Sequence, residues 1–213
     1  MSEYSRKNPS ARYVELLENY KQLHKDGEKV MGLAAENTFP GFSVFPQVER
    51  IKRLCELSDA DEILDYGAGK GKQYDMPMVD IGGGEKELLV DYWDVMTVHC
   101  FDPAYEPFSE LPSDKFDAVI STDMLEHCPE EDVEWVVDEI FSFAKKAVFA
   151  NVACYPAKKV LPNGENAHCT IKPPEWWVEK FTRSAQRNPA VKNWMLVVAE
   201  VVDGKMHETV YEG

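Results

Sequence analysis

The chain has 213 residues, of which 44% are hydrophobic, and 23 Lys and Arg residues against 38 Asp and Glu residues give a formal net charge of −15. This length is sufficient for one domain with a hydrophobic core and a small extension. An acidic surface repels phosphate backbones and anionic lipids, so the composition disfavours nonspecific binding to nucleic acid or to membranes.

The cysteine pattern and the apolar runs bear on the compartment. The five cysteines are scattered without a Cys-x-x-Cys pair, which argues against a disulfide framework and a structural zinc cluster. No apolar run approaches the length that spans a bilayer, and the first residues do not resemble a signal peptide. We therefore expect a cytoplasmic protein without a membrane partner.

Two amphipathic helices are predicted before the first strand. Residues 10–24 carry an apolar stripe at helical spacing that ends before Gly27, and residues 48–57 carry a second stripe. The aromatic, turn-rich residues 37–43 between them are either a connector packed into the core or a lid over a ligand. We expect residues 1–45 to form an N-terminal helical cap or lid, and residues 46–213 to form the main domain.

A short apolar run from Glu62 leads into glycines at alternate positions, in the order Asp65-x-Gly67-x-Gly69-x-Gly71. Glycine is needed where φ is positive or where another group approaches the backbone closely. A strand that ends in such a turn is expected to present free backbone N–H groups at the carboxyl edge of a sheet, where nucleotide-like ligands bind. A purely structural turn is the alternative.

The residues around these glycines narrow the class of ligand. The spacing is not Gly-x-Gly-x-x-Gly, and Lys72 is followed by Gln73 rather than by Ser or Thr. An acid in the turn repels a pyrophosphate but suits an ammonium and a sulfonium. The stretch resembles motif I of the class I S-adenosylmethionine-dependent methyltransferases. A nicotinamide oxidoreductase is disfavoured by the same spacing.

The next strand is predicted over residues 96–101, after an insertion at 72–94 that contains a glycine break and a candidate helix over 85–93. The strand ends in Asp102-Pro103. An acid at this tip is placed to accept hydrogen bonds from both hydroxyls of a ribose; the alternative is an acid that only starts a turn.

A second resemblance lies at the following strand, residues 116–120. Phe-Asp-x-Val-Ile followed by Leu125-Glu126-His127 is similar to the segment that many small-molecule methyltransferases carry after their fourth strand. The short connection from Asp102 leaves the usual adenine-contacting acid unassigned, with Glu110 and Asp114 as candidates.

The remaining elements complete the expected fold. Helices are predicted over 129–144 and 173–187, a strand over 147–153, and a closing hairpin from 194–202 and 205–211. With the resemblance, these elements imply an α/β, Rossmann-like three-layer sandwich. Its sheet is expected to have seven mostly parallel strands, with an antiparallel C-terminal hairpin and the N-terminal helical cap.

The resemblance also implies a cofactor and a site. S-adenosyl-L-methionine would be bound by residues at the carboxyl ends of the strands that begin near residues 62, 96 and 116. These residues are Asp65, Tyr66, Gly67, Ala68, Gly69, Gly71, Asp102, Pro103 and Thr122. Asp123 and His168 would be catalytic and border the acceptor, which we expect to be a small molecule with a hydroxyl or an amine. His168 is the candidate base; a loop-bracing histidine is the alternative.

A metal-dependent variant of the same reaction is also open. Asp123, Glu126 and His127, with His168 downstream, are similar to the Glu-x-x-Glu-His plus later His of metal-dependent O-methyltransferases, such as ubiquinone-pathway enzymes and plant-type small-RNA 2′-O-methyltransferases. These four residues would hold a divalent ion such as Mg²⁺, which lowers the pKa of a hydroxyl. Asp123 is one methylene shorter than Glu, and in many methyltransferases Leu-Glu-His only fixes the turn.

Two further alternatives concern binding. The chain could be a non-catalytic protein that binds S-adenosylmethionine or a nucleoside, since the same residues serve both functions. Trp176 and Trp177 either stack on a planar substrate or pack as one core residue and one half-exposed residue, and we favour packing.

Overall fold

The structure is a computed structural model and describes residues 3–30 and 32–213. Its helices are α1 (Ala11–Asp26), α2 (Val48–Ser58), α3 (Leu89–Trp93), α4 (Glu130–Phe143) and α5 (Pro174–Arg187). Its strands are β1 (Glu62–Tyr66), β2 (Val79–Gly82), β3 (Glu85–Glu87), β4 (Thr97–Phe101), β5 (Phe116–Thr122), β6 (Ala144–Ala153), β7 (Asn193–Val202) and β8 (Lys205–Glu212).

The main sheet has six strands in the order β4-β1-β5-β6-β7-β8. All neighbours are parallel except β8, which runs antiparallel to β7. Since β4 lies on one side of β1 and β5 on the other, the strand order reverses at β1. Open α/β sheets bind ligands beyond the carboxyl ends of the strands at such a reversal. The fold is therefore α/β and Rossmann-like, with the predicted C-terminal hairpin.

Helices cover both faces of this sheet because side chains alternate along each strand. Val119, Val148 and Leu196 share one buried cluster with the apolar stripes of α4 and α5. Ala118 and Phe149, on the opposite face, share a second cluster with α2 and α3. The predicted helical stripes are confirmed, and both faces of the central strands are buried.

The sheet has six strands rather than the expected seven. The insertion at 72–94 forms a separate hairpin, β2 and β3, in which the glycines Gly82–Gly84 all have positive φ. Most of the hairpin is exposed, so no apolar face draws it against the main sheet. The helix expected over 85–93 is confined to α3, and residues 102–115 contain only a short 3₁₀ turn, Glu106–Phe108.

Helix α1 begins at a fixed point on α4. The Ser10 hydroxyl accepts a hydrogen bond from the backbone N–H of Tyr13 at 2.9 Å and donates one to the buried carboxylate of Asp132. The Ser10 backbone N–H donates to the same carboxylate at 3.0 Å. This N-cap satisfies an orphan amide of the first turn, and it directs α1 over the carboxyl ends of the strands.

The division into a cap and a main domain stays a prediction, since Tyr13 of α1 belongs to the same buried cluster as α4. Among the described residues, no helix is both long enough and apolar enough to cross a membrane.

Candidate functional site

A cavity of about 700 Å³ lies at the carboxyl ends of β1, β4 and β5. This volume is in the range of small-molecule sites, roughly 300–1,000 Å³. Its walls come from α1, the segment 39–43 and the loop after β6. The lining includes these predicted site residues: Gly67, Gly69, Asp102, Pro103, Thr122, Asp123, His127 and His168.

The glycine turn is required by its neighbours. Gly67 and Gly69 have φ values of 89° and 60°. A Cβ on Gly69 would lie 2.4 Å from the carbonyl oxygen of Phe39, and one on Gly67 would lie 2.4 Å from Cγ of Met124. A side chain at Gly69 would therefore require the Phe39 backbone to shift, and one at Gly67 would require the Met124 side chain to shift.

The backbone amides of this turn are not free, contrary to the expectation from the sequence. Gly67 and Ala68 donate to the carbonyl oxygen of Phe101, and Gly69 donates to Asp102. The amides of Lys70, Gly71 and Lys72 donate to carbonyl oxygens of Phe39, Ala68 and Pro40. No long helix follows the turn, so these acceptors satisfy its N–H groups. The turn therefore offers a ligand no free N–H group from residues 67 to 72.

Asp102 lies between the turn and the cavity. Its Oδ2 accepts from the Gly69 amide at 2.9 Å, and its Oδ1 accepts from the Ala104 amide at 2.9 Å. Burial raises the pKa of Asp102 to about 6. Each carboxylate oxygen can accept a further hydrogen bond, and the residue lines the cavity. This position matches the predicted one at the strand tip; the ribose-binding role stays a prediction.

Four predicted cofactor residues lie outside the lining of the cavity: Asp65, Tyr66, Ala68 and Gly71. The Asp65 carboxylate lies behind the turn, where it accepts from Gln73 Nε2 at 2.9 Å and from the Tyr74 hydroxyl at 2.8 Å. Burial raises the pKa of Asp65 to about 6. In this structure the acid therefore stabilises the turn from behind, and its contact with a cofactor stays a prediction.

Thr122 and Asp123 form the floor on the β5 side. The hydroxyls of Thr122 and Ser43 lie 3.1 Å apart, which joins the strand end to the segment 39–43. Asp123 has a φ of 49° and accepts a hydrogen bond from Asn151 Nδ2 at 2.5 Å. Desolvation raises the pKa of Asp123. Both residues line the cavity.

The two predicted histidines adopt the same tautomer. His168 Nδ1 lies 2.6 Å from the carbonyl oxygen of Tyr155, and His127 Nδ1 lies 2.8 Å from that of Ala167. A carbonyl only accepts, so each Nδ1 carries the proton and each Nε2 carries the lone pair. Burial lowers the pKa of His168 and lowers that of His127 to about 3. Both rings are therefore neutral at pH 7, and the lone pair of each lies on Nε2.

Glu126 is fully buried and braces the loop after β6. Its Oε1 accepts from the Ala153 amide at 2.9 Å and lies 4.0 Å from His168 Nε2. Burial raises the pKa of Glu126 well above its ordinary value. Within residues 3–30 and 32–213, no group of three or more His, Cys, Asp and Glu side chains is arranged to hold a metal ion. The observed contacts are those of the turn-fixing alternative, and the metal stays a prediction.

Aromatic rings form much of the wall opposite the strands. The Phe39 ring lies 5.9 Å from Tyr20 and 5.1 Å from His24, centroid to centroid. The ammonium of Lys159 lies 4.2 Å from the Phe39 centroid. The sequence placed Tyr20 in the apolar stripe of a helix and left Lys159 in an unassigned loop. Only the alternative that the aromatic segment 37–43, which contains Phe39, forms a lid over a ligand indicated this wall.

Other candidates lie away from the cavity. Trp177 is buried and Trp176 is half-buried, their centroids 4.9 Å apart; the packing interpretation is confirmed. Glu110 and Asp114 are exposed and do not contribute to the lining.

A second cavity of about 600 Å³ adjoins the first and shares His24, Pro103 and Ala104 with it.

No protein-family model, curated protein or solved structure matches the chain.

Proposed function

We propose that the protein is a class I S-adenosylmethionine-dependent methyltransferase that acts on a hydroxyl or an amine of a small molecule. The observation that carries this proposal is one cavity, lined by the glycine turn, the Asp102 carboxylate and the His168 imidazole. The turn and Asp102 lie at the tips of adjacent parallel strands, at the point where the strand order reverses.

The lining fits the proposed cofactor. Asp102 would accept hydrogen bonds from the ribose hydroxyls, and Gly67, Gly69, Pro103 and Thr122 would contact the rest of the molecule. Asp102 and Asp123 provide negative charge in a cavity that would hold a sulfonium. When bound, the cofactor supplies an activated methyl group, so the chain mainly has to align the acceptor, which is worth about 7–11 kcal/mol.

His168 would remove the proton of a hydroxyl acceptor. Its Nδ1 donates a hydrogen bond to the Tyr155 carbonyl oxygen, so the lone pair that would accept the proton lies on Nε2. Burial lowers its pKa and keeps the ring neutral at pH 7. A positioned base of this kind contributes roughly 10²–10⁴-fold to a rate. Asp123, which accepts a hydrogen bond from Asn151, would orient the acceptor hydroxyl.

Metal-dependent O-methyl transfer, with an RNA 2′-hydroxyl as one acceptor, is a second candidate. The observation that favours it is the paired tautomer: the His127 and His168 rings lie 4.9 Å apart, and each has its Nδ1 proton on a carbonyl. Such outer hydrogen bonds are typical of histidines that bind metal through Nε2. The absence, among the described residues, of any group of three or more side chains placed to hold a metal ion argues against this candidate. A non-catalytic binding protein would use the same cavity.

Titration calorimetry tests the proposal. We expect S-adenosylmethionine and S-adenosylhomocysteine to bind wild type with micromolar affinity. Asp102→Ala is expected to lose this binding. The matched control is Asp114→Ala, which removes an exposed acid outside the cavity. A shift in affinity with Mg²⁺ would favour the metal-dependent candidate. If neither ligand binds wild type, the proposal is wrong. Transfer of a labelled methyl group separates an enzyme from a binding protein.

A further inference from the structure

The ammonium of Lys159 is a cation inside the cavity that the function above does not use. Lys159 is half-buried in the loop after β6, and its Nζ lies over the Phe39 ring at 4.2 Å from the centroid. In the part of the chain that the structure describes, no carboxylate oxygen lies within 4.0 Å of this nitrogen. By contrast, Lys172 pairs with Glu130 at 2.6 Å on the surface.

Two acids act on the charge of Lys159 from beyond the 4.0 Å of an ion pair. Burial lowers its pKa, while the charges of Asp123 and Glu28 oppose that change. The positive charge of Lys159 in turn contributes to the lowered pKa values of His24, His127 and His168. His24, His127 and His168 line the same cavity, and an imidazole is never an anion that could pair with this ammonium.

Each of the three rings is already engaged at Nδ1. His24 Nδ1 accepts from the Lys70 ammonium at 2.9 Å, and the other two donate to backbone carbonyls. A half-buried ammonium without a paired carboxylate gains most from an anion that enters the cavity, because charge-assisted hydrogen bonds are about twice as strong as neutral ones.

We propose that Lys159 binds a carboxylate of the molecule that occupies this cavity. A monoanion fits better than a phosphate, because of the two lysines in the lining Lys159 is half-buried whereas Lys158 is exposed. The acids Asp102 and Asp123 line the same cavity and repel a dianion more strongly than a monoanion. Two sources are possible: the amino-acid carboxylate of S-adenosylmethionine, which rests on the proposed function, or a carboxylate on the acceptor.

The rim of the cavity complements this charge with apolar surface. Phe42, Val201 and Met206 line the cavity although each is 42% exposed or more. An acceptor held by Lys159 would therefore combine a carboxylate with an apolar body, such as an aromatic or medium-chain acid. Burial of these three side chains would add to its affinity.

Matched pairs of probes test the proposal. S-Adenosylhomocysteine and 5′-methylthioadenosine share the nucleoside, but the second lacks the amino-acid group with its carboxylate and its ammonium; benzoate and benzamide share a ring and differ in charge. The dependence on Lys159 therefore assigns the carboxylate. Each probe is titrated into wild type, Lys159→Gln, Lys159→Arg and Lys115→Gln. Lys115 is exposed outside the cavity, so its change controls for the loss of one charge.

We expect Lys159→Gln to weaken one carboxylate-bearing probe by about ten- to a hundredfold, the loss of a hydrogen bond to a charged group. Its uncharged counterpart should be unaffected, Lys159→Arg should retain the preference, and Lys115→Gln should match wild type. Loss confined to S-adenosylhomocysteine assigns the cofactor as the source; loss confined to benzoate assigns the acceptor.

The two proposals fail separately. If no adenosine compound binds but the preference for benzoate depends on Lys159, the methyltransferase function is wrong and the carboxylate site stands. Each pair of probes gives a ratio of affinities, that of the carboxylate-bearing probe over that of its uncharged counterpart. If the probes bind and Lys159→Gln leaves both ratios unchanged, the carboxylate site is wrong. The same holds if no carboxylate-bearing probe binds wild type.

Discussion

Asp102 Oδ2 accepts a hydrogen bond from the backbone amide of Gly69 at 2.9 Å, which joins the tip of β4 to the turn after β1. The same carboxylate lines the cavity. One side chain therefore both holds the turn in place and presents acceptor oxygens to a ligand, and its protonation affects both.

Affinity for S-adenosylhomocysteine should fall as the pH falls from 7 to 5. Burial raises the pKa of Asp102 to about 6. The ionised form accepts hydrogen bonds from ribose hydroxyls, and below pH 6 the protonated form predominates, so binding should weaken by about tenfold at pH 5. Calorimetry across this range measures the effect.

A control separates Asp102 from a second acid with a similar pKa. Burial also raises the pKa of Asp65 to about 6, but Asp65 lies behind the turn. Asp65→Asn should therefore keep the pH dependence of binding, and Asp102→Asn should lose it. A dependence that disappears with Asp65→Asn would contradict the assignment.

Gly69→Ala should destabilise the protein far more than Gly83→Ala. The two glycines have similar φ values, 60° and 65°, so each substitution carries about 1–2 kcal/mol of left-handed strain. A Cβ on Gly69 also meets the Phe39 carbonyl oxygen at 2.4 Å, whereas one on Gly83 meets nothing within 4 Å. Urea denaturation of both variants measures the difference, and equal losses would show that the contact with Phe39 is not formed.

Ser10→Ala should cost about 2–3 kcal/mol of unfolding free energy, because it removes the N-cap of α1 and a partner of the buried Asp132 carboxylate. The control is Ser142→Ala, where an exposed hydroxyl donates to the carbonyl oxygen of Glu139; we expect a change within about 0.5 kcal/mol. Chemical denaturation followed by circular dichroism compares the two. Similar losses would mean that the cap does not hold α1.

Asp65 should make the protein less stable as the pH rises from 4 to 8. The pKa of Asp65 is 3.8 in an unfolded chain and about 6 in the folded protein. Between these pH values the folded state retains a proton that the unfolded state has lost. Stability therefore falls with rising pH, by about 3 kcal/mol for a shift of this size.

Asp65→Asn removes that fall, because the amide stays neutral. Its oxygen can still accept from Gln73 and Tyr74, as the carboxylate does. The unfolding free energy of the variant relative to wild type should rise by about 2–2.5 kcal/mol between pH 4 and pH 8, because part of the full effect is already present at pH 4. Asp114→Asn, at an exposed position, controls for the lost charge. A constant difference between wild type and Asp65→Asn would contradict the raised pKa.

The sequence by itself determined most of the elements outside the insertion at 72–94, and their order along the chain. The stripe over residues 10–24 and Gly27 correctly bounded α1, and the strands at 62, 97 and 116 begin within about one residue of their predicted positions. These features depend on local periodicity and on turn residues, which neighbouring positions are sufficient to specify. The resemblance to methyltransferases implied that Gly67, Gly69 and Asp102 bind one cofactor, and the parallel pairing of β1 with β4 brings these residues together.

Only the tertiary structure decided how the cavity is enclosed. Phe39 and Pro40 come from a distant segment, and their carbonyls occupy the amides that the glycine turn was expected to offer a ligand. Lys159, from another loop, lies over the Phe39 ring, and the insertion at 72–94 pairs with itself instead of adding a strand. Each of these arrangements depends on contacts between residues far apart in sequence. Such contacts leave no periodic pattern in the chain, because their geometry is fixed only when the layers pack.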